Sequence, residues 1–323
     1  MKHLVISGCS FTNCAKSWPY WIPNDKYHMH LHASVGAGNT LISRGAMYRV
    51  NKLLSEGVDK KDINVLIMWS GIDRKDIAWS KLYNEESFQS LIKPHTNPIE
   101  AKKHNWFLDS YYDDWDEDNE GNIIDEFDYI IHTKLGFHLE FLKSMGNLSI
   151  VDIMKTQVKY FHDESESFLN TLESIVNVQN YLKVNDVKYT MSCWQNIFND
   201  YTFKVPNGYN EQGNVLSPYE IFTLGWMEDK KWSDKLRWPD NIKTKLSKDS
   251  QLLKDKYPRT SYMWDLIDWD NWWFYEDDQV EKGGLAEWVV LGEKHLWGCE
   301  KDPAHPTEYS HSQFNEKVVS KWI

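Results

Sequence analysis

From Val65 to Trp69 the chain is apolar at every position, within a strand-like segment that starts at Asp62. A strand with one wet face alternates, so an unbroken apolar run predicts a strand covered on both faces, as in a parallel sheet held between helices. Other segments fit the same plan. Lys2 to Ser7 reads as a buried first strand and His28 to Val35 as a second. Leu41 to Ser55 carries helical apolar spacing through Leu41, Met47, Val50, Leu53 and Leu54, with Gly57 as its stop. Further on, a helix from Ser165 to Lys183 holds Phe168, Leu169, Leu172, Val176 and Leu182. A strand at Val187 to Cys193 follows it, and a last helix is expected over Glu308 to Trp322.

This rhythm of strands and helices predicts an α/β fold, a parallel sheet with helices on both faces that binds ligands at the carboxyl ends of its strands. Ser10, Gly38 and the stretch Ser70 to Arg74 each follow a predicted strand, so they are expected to converge on one edge. The rhythm lapses twice, over residues 75–164 and 199–290. Both stretches are expected as insertions into a single domain covering 1–323. The first is polar, aromatic and acidic, and the second holds most of the 17 tryptophans. Tryptophan brings large apolar area, so most of these rings are expected to pack inward, while any exposed face would suit a sugar ring or a partner protein.

Charge narrows the partners. A formal net charge of −12 with no cluster of basic residues repels phosphate backbones and anionic lipid, so neither nucleic acid nor a membrane is an expected partner. No stretch has the length and apolarity of a membrane span, and Met1-Lys2 leads directly into the first strand without a cleavage site. The expected location is therefore the cytoplasm or a virion, with no signal peptide. Cys9, Cys14, Cys193 and Cys299 are too sparse for a disulfide framework and lack zinc-ligand spacing, which fits a reducing compartment.

Two short fragments carry chemistry. Gly8-Cys9-Ser10-Phe11-Thr12 breaks the first strand, and Asp302-Pro303-Ala304-His305-Pro306 lies far along the chain. A serine hydroxyl is a poor nucleophile at neutral pH and needs an adjacent base, and an imidazole does that work only when oriented by a carboxylate. A carboxylate three residues before a histidine can lie on the same turn, so Asp302 and His305 could serve Ser10. Each residue has a plainer role as well. Ser10 suits a tight turn, and Asp302 and Thr307 suit helix capping with Pro306 in the first turn. Cys9 points away from Ser10 on a strand and reads as a small buried residue.

Three other motifs fail on inspection. Gly36-x-Gly38 before a helix suggests a dinucleotide turn, but Leu41 stands where a third glycine is required. Asp116 to Ile123 opens like a calcium loop, yet its twelfth position is Phe127, so a solvated acidic hairpin turn is expected. His28, His30 and His32 alternate and share one strand face, but along one strand they form a line and no carboxylate completes them. They are expected as solvated or packed histidines, with no metal.

The two chemical fragments, with the turn between them, resemble the SGNH (GDSL-like) hydrolase family. Gly8-Cys9-Ser10-Phe11-Thr12 resembles the block around the nucleophile, with Cys9 where aspartate is usual. Ala33-Ser34-Val35-Gly36-Ala37-Gly38-Asn39 resembles the block whose glycine amide helps form the oxyanion hole, a role that falls on Gly38 with Gly36 as its alternative. Asp302 to Pro306 resembles the final block. The third block departs: Trp69-Ser70-Gly71-Ile72-Asp73-Arg74 has Ile72 where the family places an asparagine donor. Asn39 is the expected substitute, with Ser70 and Arg74 behind it.

The resemblance implies a three-layer α/β/α, flavodoxin-like sheet and a catalytic triad of Ser10, Asp302 and His305. It also implies an oxyanion hole of Ser10, Gly38 and Asn39, and no metal or organic cofactor. Combined with the aromatic insertion, it is similar to divergent bacteriophage-encoded members. The expected activity is ester hydrolysis, with O-acetyl groups on carbohydrate as the expected substrate. Acyl transfer to a sugar would use the same residues. The competing expectation is a weakly active or inactive phage structural or glycan-binding protein, with a virion or host surface as partner.

Overall fold

The structure is a computed structural model that describes residues 1–13, 16–33, 37–72, 74–78, 130–134, 163–199, 252–277, 280–292 and 305–323, with the segments 74–78 and 130–134 described as backbone. Its strands are β1 (Lys2–Gly8), β2 (Tyr27–Ala33), β3 (Ile63–Trp69), β4 (Arg74–Ala78), β5 (Ile130–Lys134) and β6 (Lys188–Cys193). The helices used below are α1 (Asn39–Ser55), α2 (Glu164–Val184) and α3 (Glu308–Lys317). Among the described residues β2, β1, β3 and β6 pair in that order as an all-parallel sheet. The α/β reading therefore holds. All seven residues of β3 are buried, as an unbroken apolar strand between two layers requires.

Pairing register sorts the side chains onto two faces. His3 lies opposite both His28 and Ile63, and Ser7 opposite both His32 and Ile67. Since successive side chains alternate, His3, Val5 and Ser7 share a face with His28, His30 and His32 on one side and Ile63, Val65 and Ile67 on the other. Helix α1 covers this face. The Ser7 hydroxyl lies 2.8 Å from the Ile42 carbonyl and 3.1 Å from that of His32. Gly45 is the closest approach, because a Cβ there would run into the His32 ring.

Helix α2 lies beside α1, and its Thr171 hydroxyl accepts from the Asn39 amide. Asp163 caps it by accepting from the Ser165 amide at 2.8 Å, and Glu164 and Glu166 in its first turn suit the helix dipole. The opposite face belongs to the carboxyl-terminal segment. Both Asn64 Nδ2 and Lys188 Nζ donate to the Trp322 carbonyl, at 3.1 and 3.0 Å.

Several boundaries move. Strand β2 stops at Ala33, α1 starts at Asn39, and the last helix ends at Lys317, followed by a 3-10 turn at Val319–Lys321. Part of the expected second insertion lies among the described residues. From residue 252 onward it turns inward: Leu253, Trp264, Leu285 and Val289 are buried in the core, and Trp272 bridges Met191 beside β6 in the parallel sense. In the expected first insertion β4 and β5 pair antiparallel. Asp116 to Ile123 and Phe127 lie outside the described residues. Among the described residues no helix is long and apolar enough to cross a membrane.

Candidate active site

The candidate site lies at the carboxyl edge of the sheet, where β1 and β3 run side by side between strands reached in opposite directions, the position where such sheets hold ligands. Beyond Gly8 the chain makes a single tight turn, with the Thr12 and Asn13 amides both donating to the Cys9 carbonyl at 2.9 and 3.0 Å. Gly8 is required there because a Cβ would strike the Thr12 side chain. The Asn13 amide group ties this turn to the end of β2 by donating to Ala33 O at 2.8 Å. Ser10 sits within it, 3% exposed.

Gly38 is the N-cap of α1, in extended conformation, and Asn39 follows it. The Asn39 side chain is committed within the fold. Its Oδ1 accepts from the Ser70 amide at 2.8 Å, while Nδ2 donates to Ser70 O and to Thr171 Oγ1, both at 3.0 Å. Both of its amide protons are thus in use, so this side chain has no donor to offer an oxyanion. Ser70 itself is buried, and its hydroxyl has no hydrogen-bond partner among the described residues. Ile72 packs partly buried against the core.

His305 comes to this edge from the far end of the sequence. Its ring meets that of Phe11, the residue after Ser10, edge-on with centroids 4.7 Å apart, and Phe11 stacks on Trp194 at 4.3 Å. Trp194 is fixed in turn, since its amide donates to Trp69 O at 3.1 Å and its carbonyl accepts from Ala286 at 2.7 Å. Neighbouring contacts clasp the two segments together: Lys16 pairs with Glu308 at 3.0 Å, and Asn315 donates to Trp21 O at 2.9 Å. Asp302 and Gly36 lie outside the described residues, as does the Arg74 side chain.

Behind Trp194, the Glu287 carboxylate is fully buried and accepts from the Asn196 and Gly284 amides, at 3.0 and 2.7 Å. It closes the loop beyond β6, a role that leaves no periodic sign among the residues around Glu287. Cys9 and Cys193 are buried and free, and burial, aided by the nearby Glu287 charge, pushes the Cys193 thiol well up. The tryptophans described in this half turn mostly inward. Trp264, Trp269 and Trp272 ring Phe198 at 5.2–5.4 Å, which is packing. No protein-family model, no curated protein and no solved structure matches this chain.

Proposed function

We propose that the chain is an SGNH-type serine esterase whose reacting groups are Ser10, His305 and Asp302. The observation that carries this reading is the meeting of the His305 ring with Phe11 beside Ser10, at the carboxyl end of the central parallel strands. His305 removes the Ser10 proton as the hydroxyl oxygen bonds to the acyl carbon, then returns that proton to the departing alcohol. Water, activated by the same imidazole, breaks the acyl-enzyme and regenerates the serine. Asp302 orients the imidazole. The amides of Ser10 and Gly38 hold the oxyanion, and the Ser70 hydroxyl takes the place of the committed Asn39 side chain as the third donor. An O-acetylated carbohydrate is the proposed substrate class.

A second reading is favoured by two observations at the same edge. Ile72 packs partly buried against the core where a donor is expected, and the Asn39 amide is consumed by Ser70 and Thr171. One missing oxyanion donor lowers turnover by about 100- to 1000-fold, so the same arrangement suits a glycan- or host-surface-binding protein of phage type that has lost efficient catalysis. Fluorophosphonate labelling and acetyl-ester hydrolysis, compared between the native chain and Ser10→Ala, decide between them. The esterase reading expects labelling at Ser10 and a loss of at least about a thousandfold in hydrolysis in the variant. A folded native chain that neither labels nor hydrolyses overturns the esterase reading and leaves the binding role, which glycan-array binding without turnover would support directly.

A further inference from the structure

Away from that edge, the amino-terminal end of the sheet gathers three histidines. His3 on β1 stands directly opposite His28 on β2, and His30 follows two residues on, so all three lie on one face of adjoining strands. His3 Nδ1 and His30 Nε2 are 3.0 Å apart, and one nitrogen from each of the three rings lies within 4.8 Å of the others. The His3 and His30 planes are within 10° of parallel, with centroids 5.2 Å apart. At 3.0 Å one of these two nitrogens donates its proton to the lone pair of the other, and the His28 ring lies near-parallel to both, with centroids 5.3 Å from His3 and 4.7 Å from His30. Three histidines on one strand make a line, but the ring from the neighbouring strand turns two of them into a triangle. His32, the third member of the row, instead goes beneath α1 against Gly45.

We propose that His3, His28 and His30 form a binding site for a late first-row divalent metal ion of the zinc class. The ligand set selects the class, since imidazole nitrogens suit zinc, nickel and copper, whereas magnesium and calcium require oxygen. Arg49 and Lys52 on α1 act on His30, and the amino-terminal ammonium on His3, with the sign that repels a cation, while Asp62 and Glu56 act on His3 with the opposite sign. Charge alone does not draw an ion here, so coordination by imidazole lone pairs must.

Zinc–nitrogen bonds of about 2.0–2.1 Å in tetrahedral geometry put ligand nitrogens about 3.3 Å apart, within small side-chain rotations of the spacing present. Each neutral imidazole keeps its one proton on loading. The proton between His3 and His30 returns to a ring nitrogen facing away from the metal, so no net ionisation is required. Three protein ligands leave the fourth position to water. Because β2 is the edge strand of the described sheet, the ion would staple that edge to β1. The centre lies about 16 Å along β1 from the Ser10 turn and is independent of the esterase reading.

The test uses the full chain, stripped of metal by a chelator and titrated with Zn2+ at neutral pH by calorimetry and by thermal melting. One ion per chain, a raised melting temperature and no competition from excess Mg2+ are expected. His28 is exposed, so His28→Ala should fold as the native chain does yet bind Zn2+ at least about tenfold more weakly, and His3→Gln should do the same. Co2+ in the native chain should show visible d–d bands that both variants weaken. Absence of Zn2+ binding, competition by Mg2+, or variants that bind as tightly as the native chain would overturn the proposal.

Discussion

His32 is buried beneath α1 with its ring against Gly45, and burial, reinforced by the Arg49 charge, holds its pKa down to about 3. The folded state therefore prefers the neutral ring, whereas an unfolded chain titrates near 6.5. Stability from this group is complete above about pH 6.5 and is lost progressively as pH falls below it, because the unfolded state then binds the extra proton. His30 behaves alike, held to about 3 by burial and then by the charges of His28, Arg49, His3 and Lys52. Thermal melts across this acidic range should show a steady fall, with a shallower slope in His32→Gln. Identical slopes would mean that His32 stays protonated inside the fold. The alternation of His28, His30 and His32 was legible from the sequence. Their separation into two environments was not, because it depends on the neighbouring strand and on one missing Cβ in α1.

Asn39 shows how the elements lock. One side chain joins the first turn of α1 to the end of β3 through both the amide and the carbonyl of Ser70, and to α2 through Thr171. Asn39→Ala should leave the Ser70 backbone groups buried without these partners and cost about 1–3 kcal/mol in denaturant unfolding, while Asn39→Gln should not restore it. If Asn39→Ala unfolds at the native midpoint, the pin is not structural. From the sequence, Asn39 invited a catalytic role because it stands beside Gly38 at a glycine turn. Which partner would claim its amide depended on a residue 132 positions away. β1, β3, α1 and α2 could be read directly because their apolar periods are regular. The core contribution of residues 252–292 could not, because short turns rich in tryptophan carry neither the period of a strand nor that of a helix.

Across the whole molecule, remote parts of the sequence meet on the face opposite α1. Phe314 is fully buried, with its ring near those of Trp18, Trp273, Trp288 and Trp322 at 5.2–6.5 Å. Phe314→Ala removes the shared centre of that group and should cost about 3–5 kcal/mol, read as a lower unfolding midpoint by tryptophan fluorescence. A loss under about 1 kcal/mol would mean that the rings around it collapse to fill the space. The His305 ring meets that of Phe11, the residue after Ser10, although the two lie near opposite ends of the sequence. The aromatic clasp that brings them together had no motif and becomes visible only when the sheet is assembled.

The carbonyl of Trp322 accepts hydrogen bonds from Asn64 on β3 and Lys188 on β6. β3 thus waits for a residue 258 positions later, and β6 for the same residue 134 positions later, before their second face is sealed. Such long-range closure slows folding and leaves apolar strands open to aggregation in the meantime.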